Sequence, residues 1–229
     1  MSDLYIFGIS TTARSIWKFV GDYNLFNIKG FVVDAAYKTC DTYCGLPVFE
    51  LENLPESFDK DKDLLFIAME WDRLNAVRKN IYLRLKKEGF RFANIISPHA
   101  LLHSDIEGEN CWICDKVVIE NDVIIHDNVF VKTGATIAHF SEVGAHAFIG
   151  ANSFTAGNCK IGEQTYLGIC STIFNSVKVG SKCLVGACVY VKRNLADNSV
   201  IKTKNDEFVI TQFNEEEIES KLLASIKIR

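Results

Sequence analysis

The stretch 113–149, ICDKVVIENDVIIHDNVFVKTGATIAHFSEVGAHAFI, repeats every six residues. From Ile113 to Val191, thirteen of fourteen successive sixth positions carry Ile, Leu or Val, and Thr155 is the exception. The residue four places further on is small or β-branched in nearly every repeat, from Val117 to Leu195. A unit this short cannot bury its own apolar face, so stacked units must bury a continuous column. The pattern therefore predicts a solenoid.

The same register places outward-facing residues in columns. One large and one small inward residue per hexad suit one wall and one corner of a triangular coil, and three hexads then make a turn of about eighteen residues. A histidine next to a glycine on the following coil leaves a notch beside an imidazole, which is the natural general base near neutral pH. His139 is the candidate general base, and its column comprises Asn121, His139, Gly157, Asn175 and Arg193.

Composition restricts the class of protein. The chain has 229 residues, of which 48% are hydrophobic, enough for one large domain or two modest ones. The net charge is −4, and no basic patch indicates nucleic-acid binding. The N-terminus lacks the features of a signal peptide, and no apolar stretch approaches the roughly 20 residues that span a bilayer. We expect a cytoplasmic protein without a membrane span.

Eight cysteines include the motif Cys111-x-x-Cys114, which looks like half of a zinc or redox site. No second Cys/His pair follows at metal spacing, so a packing role is favoured. Cys159 and Cys183 fall in the small inward position and are expected to be reduced packing residues.

Strands alternate with helices in the first 97 residues. The pattern predicts a small parallel, Rossmann-like α/β domain over residues 1–97, followed by the solenoid over 98–203. The second predicted helix has Leu74, Val77, Ile81 and Leu85 facing inward, and Gly89 ends it. The predicted strands are Leu4–Gly8, Ile28–Asp34, Asp63–Met69 and Arg91–Ile96, and the predicted helices begin near Thr12 and at Trp71.

A third segment, residues 204–229, is predicted to be a tail with a helix. Asn214 is a candidate N-cap before three glutamates, whose charges favour a helix N-terminus. Ile218, Leu222 and Ile226 would form one apolar stripe along that helix.

The α/β domain is a candidate nucleotide site, because open parallel sheets bind ligands outside the C-terminal ends of their strands. The glycine turn after the first strand is weak, with one glycine and no G-x-G-x-x-G motif. Asp34 ends the second strand, where a carboxylate can meet a ribose or a base, or can serve only as a cap or turn residue. The candidate ligand-binding residues are Gly8, Ser10, Thr11, Asp34 and Met69.

The whole arrangement resembles the bacterial nucleotide-sugar acyltransferases of the hexapeptide-repeat, left-handed β-helix superfamily. Similar groups include the UDP-4-amino-sugar N-acetyltransferases and the sialic-acid O-acetyltransferases. The resemblance covers residues 1–203, and the segments that carry it are Tyr5–Gly8, Gly30–Asp34, Gly45–Val48, Phe66–Met69, Thr133–His139, Ala156–Gly162 and Tyr166–Gly168.

This resemblance implies a function. The expected reaction moves an acetyl group from acetyl-CoA to the amine of a nucleotide-linked amino-dideoxy sugar, for surface glycan biosynthesis. The resemblance further implies a left-handed coil, a nucleotide sugar held by the N-terminal domain, and a homotrimer with active sites between subunits. The alternatives are O-acetylation of a sugar hydroxyl, and a non-catalytic trimeric scaffold that binds a nucleotide sugar.

The resemblance also implies roles for individual residues. His139 matches the general base, and Gly157 matches the glycine beside the thioester. Ile169 and Ala187 match positions that line the pantetheine groove. Phe148 takes the place of a second histidine that contacts the acetyl group in some members.

One departure from the family pattern lies next to the base. Many members have an acid directly after the histidine to orient it, and here that residue is Phe140. Glu142, three residues after His139, is the candidate replacement.

A metal site is not expected. Some hexapeptide-repeat proteins, such as the γ-class carbonic anhydrases, hold zinc with three histidines between subunits. His126, His139 and His146 are thirteen and seven residues apart, which does not fit that arrangement.

Overall fold

The computed structural model describes residues 3–69 and 73–203. Its N-terminal part is a five-stranded sheet in the order β3-β4-β2-β1-β5. The strands β4, β2, β1 and β5 are parallel, and β3 adds an antiparallel edge through a tight turn. The strands β1, β2 and β5 were predicted from the sequence, and β4 was not. The strands are β1 Asp3–Phe7, β2 Asn27–Val33, β3 Thr42–Tyr43, β4 Leu46–Glu50 and β5 Leu64–Ile67.

The first helix, α1 (Thr11–Asp22), begins where the sequence predicts. The Ser10 side chain caps it by accepting a hydrogen bond from the Ala13 N–H, which satisfies one of the unpaired amides of the first turn. Ile16 and Val20 are fully buried against the sheet. A 3-10 turn, Ala35–Tyr37, follows β2.

The second helix, α2 (Ala76–Lys87), differs from the prediction at its start. Leu74 lies outside the helix, because residues 73–75 all have left-handed backbone angles, with φ of 53° at Leu74. The buried residues of the helix are Arg78, Tyr82 and Leu85, so Leu85 is confirmed as inward-facing, whereas Val77 and Ile81 are only half-buried. Gly89, at φ +84°, ends the helix as predicted.

The second half of the chain is a coil of short parallel strands in three walls. Each strand is two residues long, and its second residue is the inward aliphatic of the hexad. The first wall consists of Ile95–Ile96, Trp112–Ile113, Phe130–Val131, Phe148–Ile149, Tyr166–Leu167, Leu184–Val185 and Val200–Ile201. The second wall consists of Leu101–Leu102, Val118–Ile119, Thr136–Ile137, Phe154–Thr155, Thr172–Ile173 and Tyr190–Val191. The third wall consists of Ile124–Ile125, Glu142–Val143, Lys160–Ile161 and Lys178–Val179.

The predicted register of the solenoid is confirmed. Residues eighteen apart pair in neighbouring coils, as in Val131 with Ile149 and Ile149 with Leu167. These side chains are fully buried, and Thr155 occupies the same inward position at 0% exposure. The last coil is shorter, because Val200 pairs with Leu184.

The predicted fourth strand, Arg91–Ile96, is corrected. Phe92 forms only an isolated bridge to Leu65 at the edge of the N-terminal sheet. Ile95 and Ile96 instead pair with Trp112 and Ile113, so they already belong to the first wall of the coil. One apolar run therefore serves both parts of the chain, and the division at residue 97 stays a prediction.

The N-terminal part packs on the first wall. Trp112, Phe130 and Phe148 point out of the coil, yet they are only 5%, 2% and 5% exposed. The ring of Phe66 from the segment of β5 stacks on Phe130, with centroids 5.8 Å apart. These aromatic side chains join the two parts into one continuous core.

The remaining predictions concern cysteines, membranes and the tail. Cys111, Cys114, Cys159 and Cys183 are buried free thiols, which confirms their packing role. In the described ranges, the structure contains no helix both long and apolar enough to cross a membrane. The predicted helix over 204–229 lies outside the described residues.

Candidate active site

His139 lies at the corner between the second and third walls, and Gly157 occupies the equivalent corner of the next coil. A Cβ atom built on Gly157 would lie 2.7 Å from Nε2 of His139 and 3.0 Å from its Cε1. The imidazole therefore sits directly against the glycine backbone, as the eighteen-residue register predicts. The column of His139 and Gly157 is confirmed as a geometric feature.

The carboxylate of Glu120 holds the other edge of this imidazole. Its Oε2 lies 2.9 Å from Nδ1 of His139 and also accepts a hydrogen bond of 2.9 Å from the His139 backbone N–H. Hydrogen bonding from His139 lowers the pKa of Glu120, so the carboxylate is ionised near neutral pH. An ionised carboxylate only accepts hydrogen bonds, so Nδ1 carries the ring proton and Nε2 is left as the base.

Glu142 is not the acid that orients His139, and the prediction is corrected on this point. Its Oε1 lies 3.0 Å from Nε2 of His126, and its Oε2 accepts from Nζ of Lys160 at 2.8 Å. Glu142 begins the next wall and faces outward from that wall, away from the corner. Phe140, which follows His139, contacts the imidazole edge-on, with centroids 5.5 Å apart.

The surroundings of His139 form an open groove of about 420 Å³. Two histidines and two acids face it, which makes it polar on one side, and the exposed ring of Phe140 covers the other side. The residues that line it are His103, Glu120, Asn121, Asp122, His139 and Phe140. Such a groove can admit a polar acceptor group to the Nε2 edge of the base.

The residues expected to bind pantetheine lie elsewhere on the same chain. Ile169 and Ala187 are exposed at the corner between the first and second walls, on successive coils. His139 and Gly157 occupy the corner between the second and third walls. The structure therefore does not bring the two predicted halves of the acetyl-CoA site together within one copy of the chain.

Phe148 is also remote from His139. It lies on the first wall, is 5% exposed, and stacks on Tyr166 with centroids 4.9 Å apart. The N-terminal part covers it. Within one chain this ring packs the junction between the two parts, and its contact with an acetyl group stays a prediction.

The predicted nucleotide residues gather at the C-terminal ends of β1, β2 and β5. They face a cavity of about 670 Å³ whose lining includes Gly8, Ser10, Asp34 and Met69. Thr11 is not part of that lining and lies in the first turn of α1. A cavity at this edge is where an open parallel sheet binds its ligands.

Two side chains in this cavity are fixed by neighbours. Ser10 donates a hydrogen bond to the Ala68 carbonyl at 3.2 Å. Asp34 accepts from Nη2 of Arg84 at 2.7 and 3.0 Å, so α2 supplies the charge partner of the strand-end carboxylate. Asp34 is therefore held in place as a charged group in the lining of the cavity.

Glu120 is the residue that sequence reasoning missed. It stands nineteen positions before His139, so it is on the preceding coil and one place off the column. The register places it directly beneath Ala138, next to the base. A search for acids one coil away, rather than beside the histidine in the chain, would have found it.

No group of three or more His, Cys, Asp or Glu side chains that could hold a metal ion occurs in residues 3–69 and 73–203.

Comparison with known proteins agrees with this architecture. A family model described as bacterial transferase hexapeptide (six repeats) matches residues 108–139. The acetyltransferase domain of PglB from Neisseria gonorrhoeae FA1090 superposes with a TM-score of 0.75 at 22% identity, covering 87% of this chain and 96% of that chain. The same domain has also been solved in complex with acetyl coenzyme A.

A mutant of perosamine N-acetyltransferase from Caulobacter crescentus, in complex with CoA and GDP-perosamine, gives a TM-score of 0.76 at 25% identity. That match covers 87% of this chain and 93% of the other. WeeI from Acinetobacter baumannii AYE gives a TM-score of 0.58 at 15% identity, covering 87% of this chain and 96% of that chain.

The chain has the left-handed β-helix fold of these bacterial acetyltransferases, and residues 108–139 of its coil match the hexapeptide-repeat family model. The resemblance predicted from the sequence is confirmed. The neighbours themselves are acetyltransferases, solved with CoA or acetyl coenzyme A.

Proposed function

We propose that this protein transfers an acetyl group from acetyl-CoA to the amine of a nucleotide-linked amino sugar. The observation that carries the proposal is the imidazole of His139, which is seated against Gly157 and held at Nδ1 by Glu120. The solved neighbours support the substrate class, since one is a perosamine N-acetyltransferase in complex with CoA and GDP-perosamine.

In the proposed reaction, the acceptor amine attacks the thioester carbonyl carbon and Nε2 of His139 takes the proton that the amine loses. The tetrahedral intermediate then expels the CoA thiolate, and that proton is available to it from the imidazolium. Glu120 keeps the proton of the resting imidazole on Nδ1 and stabilises the imidazolium while it exists. A positioned general base of this kind typically contributes 10²- to 10⁴-fold to the rate.

The backbone at Gly157 is the proposed oxyanion donor. Its N–H has no hydrogen-bond partner among the described residues, and the glycine leaves room for the thioester to approach. Losing one donor to a developing oxyanion typically costs a few kcal/mol of transition-state stabilisation. Gly157 therefore acts through both its amide and its missing side chain.

The active site is proposed to form between copies in a homotrimer. His139 with Gly157, and Ile169 with Ala187, occupy different corners of one chain. If Ile169 and Ala187 line the pantetheine groove, a second copy must bring that corner to His139. In a closed cyclic assembly, each active site would then consist of residues from two copies of the chain.

The nucleotide is proposed to bind in the cavity at the ends of β1, β2 and β5. Gly8, Ser10, Asp34 and Met69 line it, and Thr11 lies beside it in the first turn of α1. Backbone amides at the start of α1 suit a phosphate group, because the helix N-terminus attracts anions. Asp34 would then meet the ribose or the base.

The test is CoA release. The protein is incubated with acetyl-CoA and, one at a time, with UDP-, dTDP- and GDP-linked amino sugars, and the freed thiol is measured with a chromogenic disulfide. Because Cys170 and Cys188 are exposed, the reaction without acceptor is subtracted. The His139→Asn variant is the matched control. Release with at least one amino sugar supports the proposal, whereas no release with any of the three classes would favour a non-catalytic scaffold or a hydroxyl acceptor.

The same assay separates amine from hydroxyl acceptors. A hydroxyl acceptor is the alternative, because Glu120 holds His139 as a base that could also take the proton of a hydroxyl group. Hydroxylamine cleaves an O-acetyl ester and leaves an amide intact. A product that loses its acetyl group under hydroxylamine would establish O-acetylation instead.

A further inference from the structure

The junction between the N-terminal part and the coil contains a fully buried cation. Arg78 of α2 is 0% exposed. Its Nε donates to Asn128 Oδ1 at 3.1 Å and its Nη2 donates to the Asn128 carbonyl at 3.2 Å, while its guanidinium lies 3.8 Å from the ring centre of Phe130. Nη1 has no hydrogen-bond partner among the described residues. These contacts satisfy part of the group but leave its charge uncompensated.

A second cation lies beside it. Nζ of Lys132 lies 3.4 Å from the ring centre of Trp112, on the same wall of the coil. In residues 3–69 and 73–203, neither Lys132 nor Arg78 forms an ion pair with a carboxylate. The indole Nε1 of Trp112 is buried and also lacks an acceptor among the described residues.

These groups surround one small cavity of about 30 Å³ between the two parts of the chain. The cavity exceeds the roughly 10–15 Å³ that a single water needs, and it is far too small for a nucleotide or an acyl chain. Its lining includes two cations, aromatic rings and no acidic side chain. The residues are Thr12, Met69, Arg78, Trp112, Phe130, Lys132 and Phe148.

The charges of the lining residues indicate which kind of ligand this cavity can hold. Burial lowers the pKa of Arg78 to about 9 and also lowers that of Lys132, yet a guanidinium remains charged at neutral pH. Two like charges around one small cavity repel each other, and buried charges in proteins are normally paired. A neutral water would fill the space but would leave both charges unpaired.

We propose that this junction cavity binds one monovalent anion of chloride size. Arg78 Nη1 and Trp112 Nε1 supply hydrogen bonds, and Lys132 supplies a second positive charge. The anion would connect α2 of the N-terminal part to the first wall of the coil. Met69 lines both this cavity and the proposed nucleotide cavity, so the site borders the one where the sugar nucleotide is expected.

The test is thermal unfolding of the full chain in chloride against gluconate, at constant ionic strength and pH 7.5. Chloride fits the cavity and gluconate does not. Binding to the folded state alone predicts a saturable rise in Tm of about 2–6 °C between zero and saturating chloride. A Tm that is equal in both salts at every concentration would overturn the proposal.

Variants test whether the effect arises at this cavity. Lys132→Met keeps the aliphatic stem over Trp112 and removes the charge, and Trp112→Phe removes the Nε1 donor. Each is expected to reduce the chloride-dependent rise in Tm at least about twofold. Lys192→Met is the matched control, because Lys192 also follows a Val in its strand and lies over a ring, Tyr190, but is exposed. If all three variants retain the full rise, chloride acts elsewhere and the assignment fails.

Bromide locates the ion directly. Crystals grown in sodium bromide should show an anomalous peak within hydrogen-bond reach of Arg78 Nη1 and Trp112 Nε1. A water molecule there, without anomalous signal, would refute an anion site even if the Tm changed.

Discussion

Replacing Glu120 by Gln tests the central geometric claim about the base. The change keeps the size of the side chain and removes its charge. The amide can turn its NH₂ group toward Nδ1 of His139, which would shift the ring proton to Nε2. That tautomer cannot accept a proton from the substrate amine at Nε2.

The structure sets the expected size of the effect. A buried carboxylate that orients a catalytic histidine can be worth about 10⁴-fold in kcat. The side chains of Glu120 and His139 are 38% and 55% exposed, so water competes for both partners and the effect is smaller. We expect kcat to fall about 10- to 100-fold, which corresponds to about 1.4–2.7 kcal/mol of transition-state stabilisation.

The assay is steady-state CoA release with a saturating amino-sugar nucleotide. We expect KM for acetyl-CoA to change little, because Glu120 lies at the other side of the imidazole from Gly157. We expect Tm to change little too, since an exposed pair contributes only about 0.2–1 kcal/mol to stability.

Glu142→Gln is the matched control. Glu142 also pairs with a histidine, His126, and its side chain is 35% exposed, close to the value for Glu120. Its loss should leave kcat within about twofold of the wild type, because surface changes away from the site have small effects. Equal losses in the two variants, or a normal kcat in Glu120→Gln, would refute the assignment of Glu120 as the residue that positions His139.

His139→Asn should lower kcat about 10²- to 10⁴-fold while CoA binding, measured by calorimetry, stays near the wild-type value; near-normal turnover would remove His139 from the mechanism. Gly157→Ala should lower kcat at least about tenfold, because the added Cβ would lie 2.7 Å from Nε2 and displace the ring; Gly21→Ala, where a Cβ meets nothing within 4 Å, is its control and should keep full activity. Burial lowers the pKa of His146 from 6.5 to about 4. Between these two pH values the unfolded chain binds more protons at His146 than the folded chain does. The free energy of unfolding should therefore fall by up to about 3 kcal/mol as the pH drops from 6.5 to 4. His146→Asn should flatten this slope in denaturant titrations at pH 7 and pH 4.5, and Asn tolerates the left-handed backbone at that position (φ 64°); an unchanged slope would show that another group is responsible.

Much of the fold could be predicted from the sequence because the solenoid is periodic. Each coil repeats the same two inward positions, so the register of Ile137, Thr155 and Ile173 follows directly from counting. The α/β domain was predictable from its apolar strands. The start of α2 was not, because the left-handed residues 73–75 have no strong signal in their composition.

The candidate active site could also be predicted only in part from the sequence. The eighteen-residue period of the sequence predicted that His139 lies against Gly157, since both belong to one column of a regular coil. The period alone did not identify Glu120. Its carboxylate reaches diagonally from the previous coil, and that contact depends on side-chain length and rotamer. The period also did not predict the burial of Phe148, because that burial depends on where the N-terminal part packs on the coil.

The sequence by itself determined the coil, its register and the position of the imidazole beside a glycine, because a six-residue repeat fixes which side chains share a column. Only the tertiary structure decided which acid holds that imidazole and which outward wall the N-terminal part covers. Those contacts join residues 19 to 69 positions apart, such as Glu120 with His139 and Arg78 with Ala147. Packing of whole surfaces, rather than any local pattern, selects such pairs.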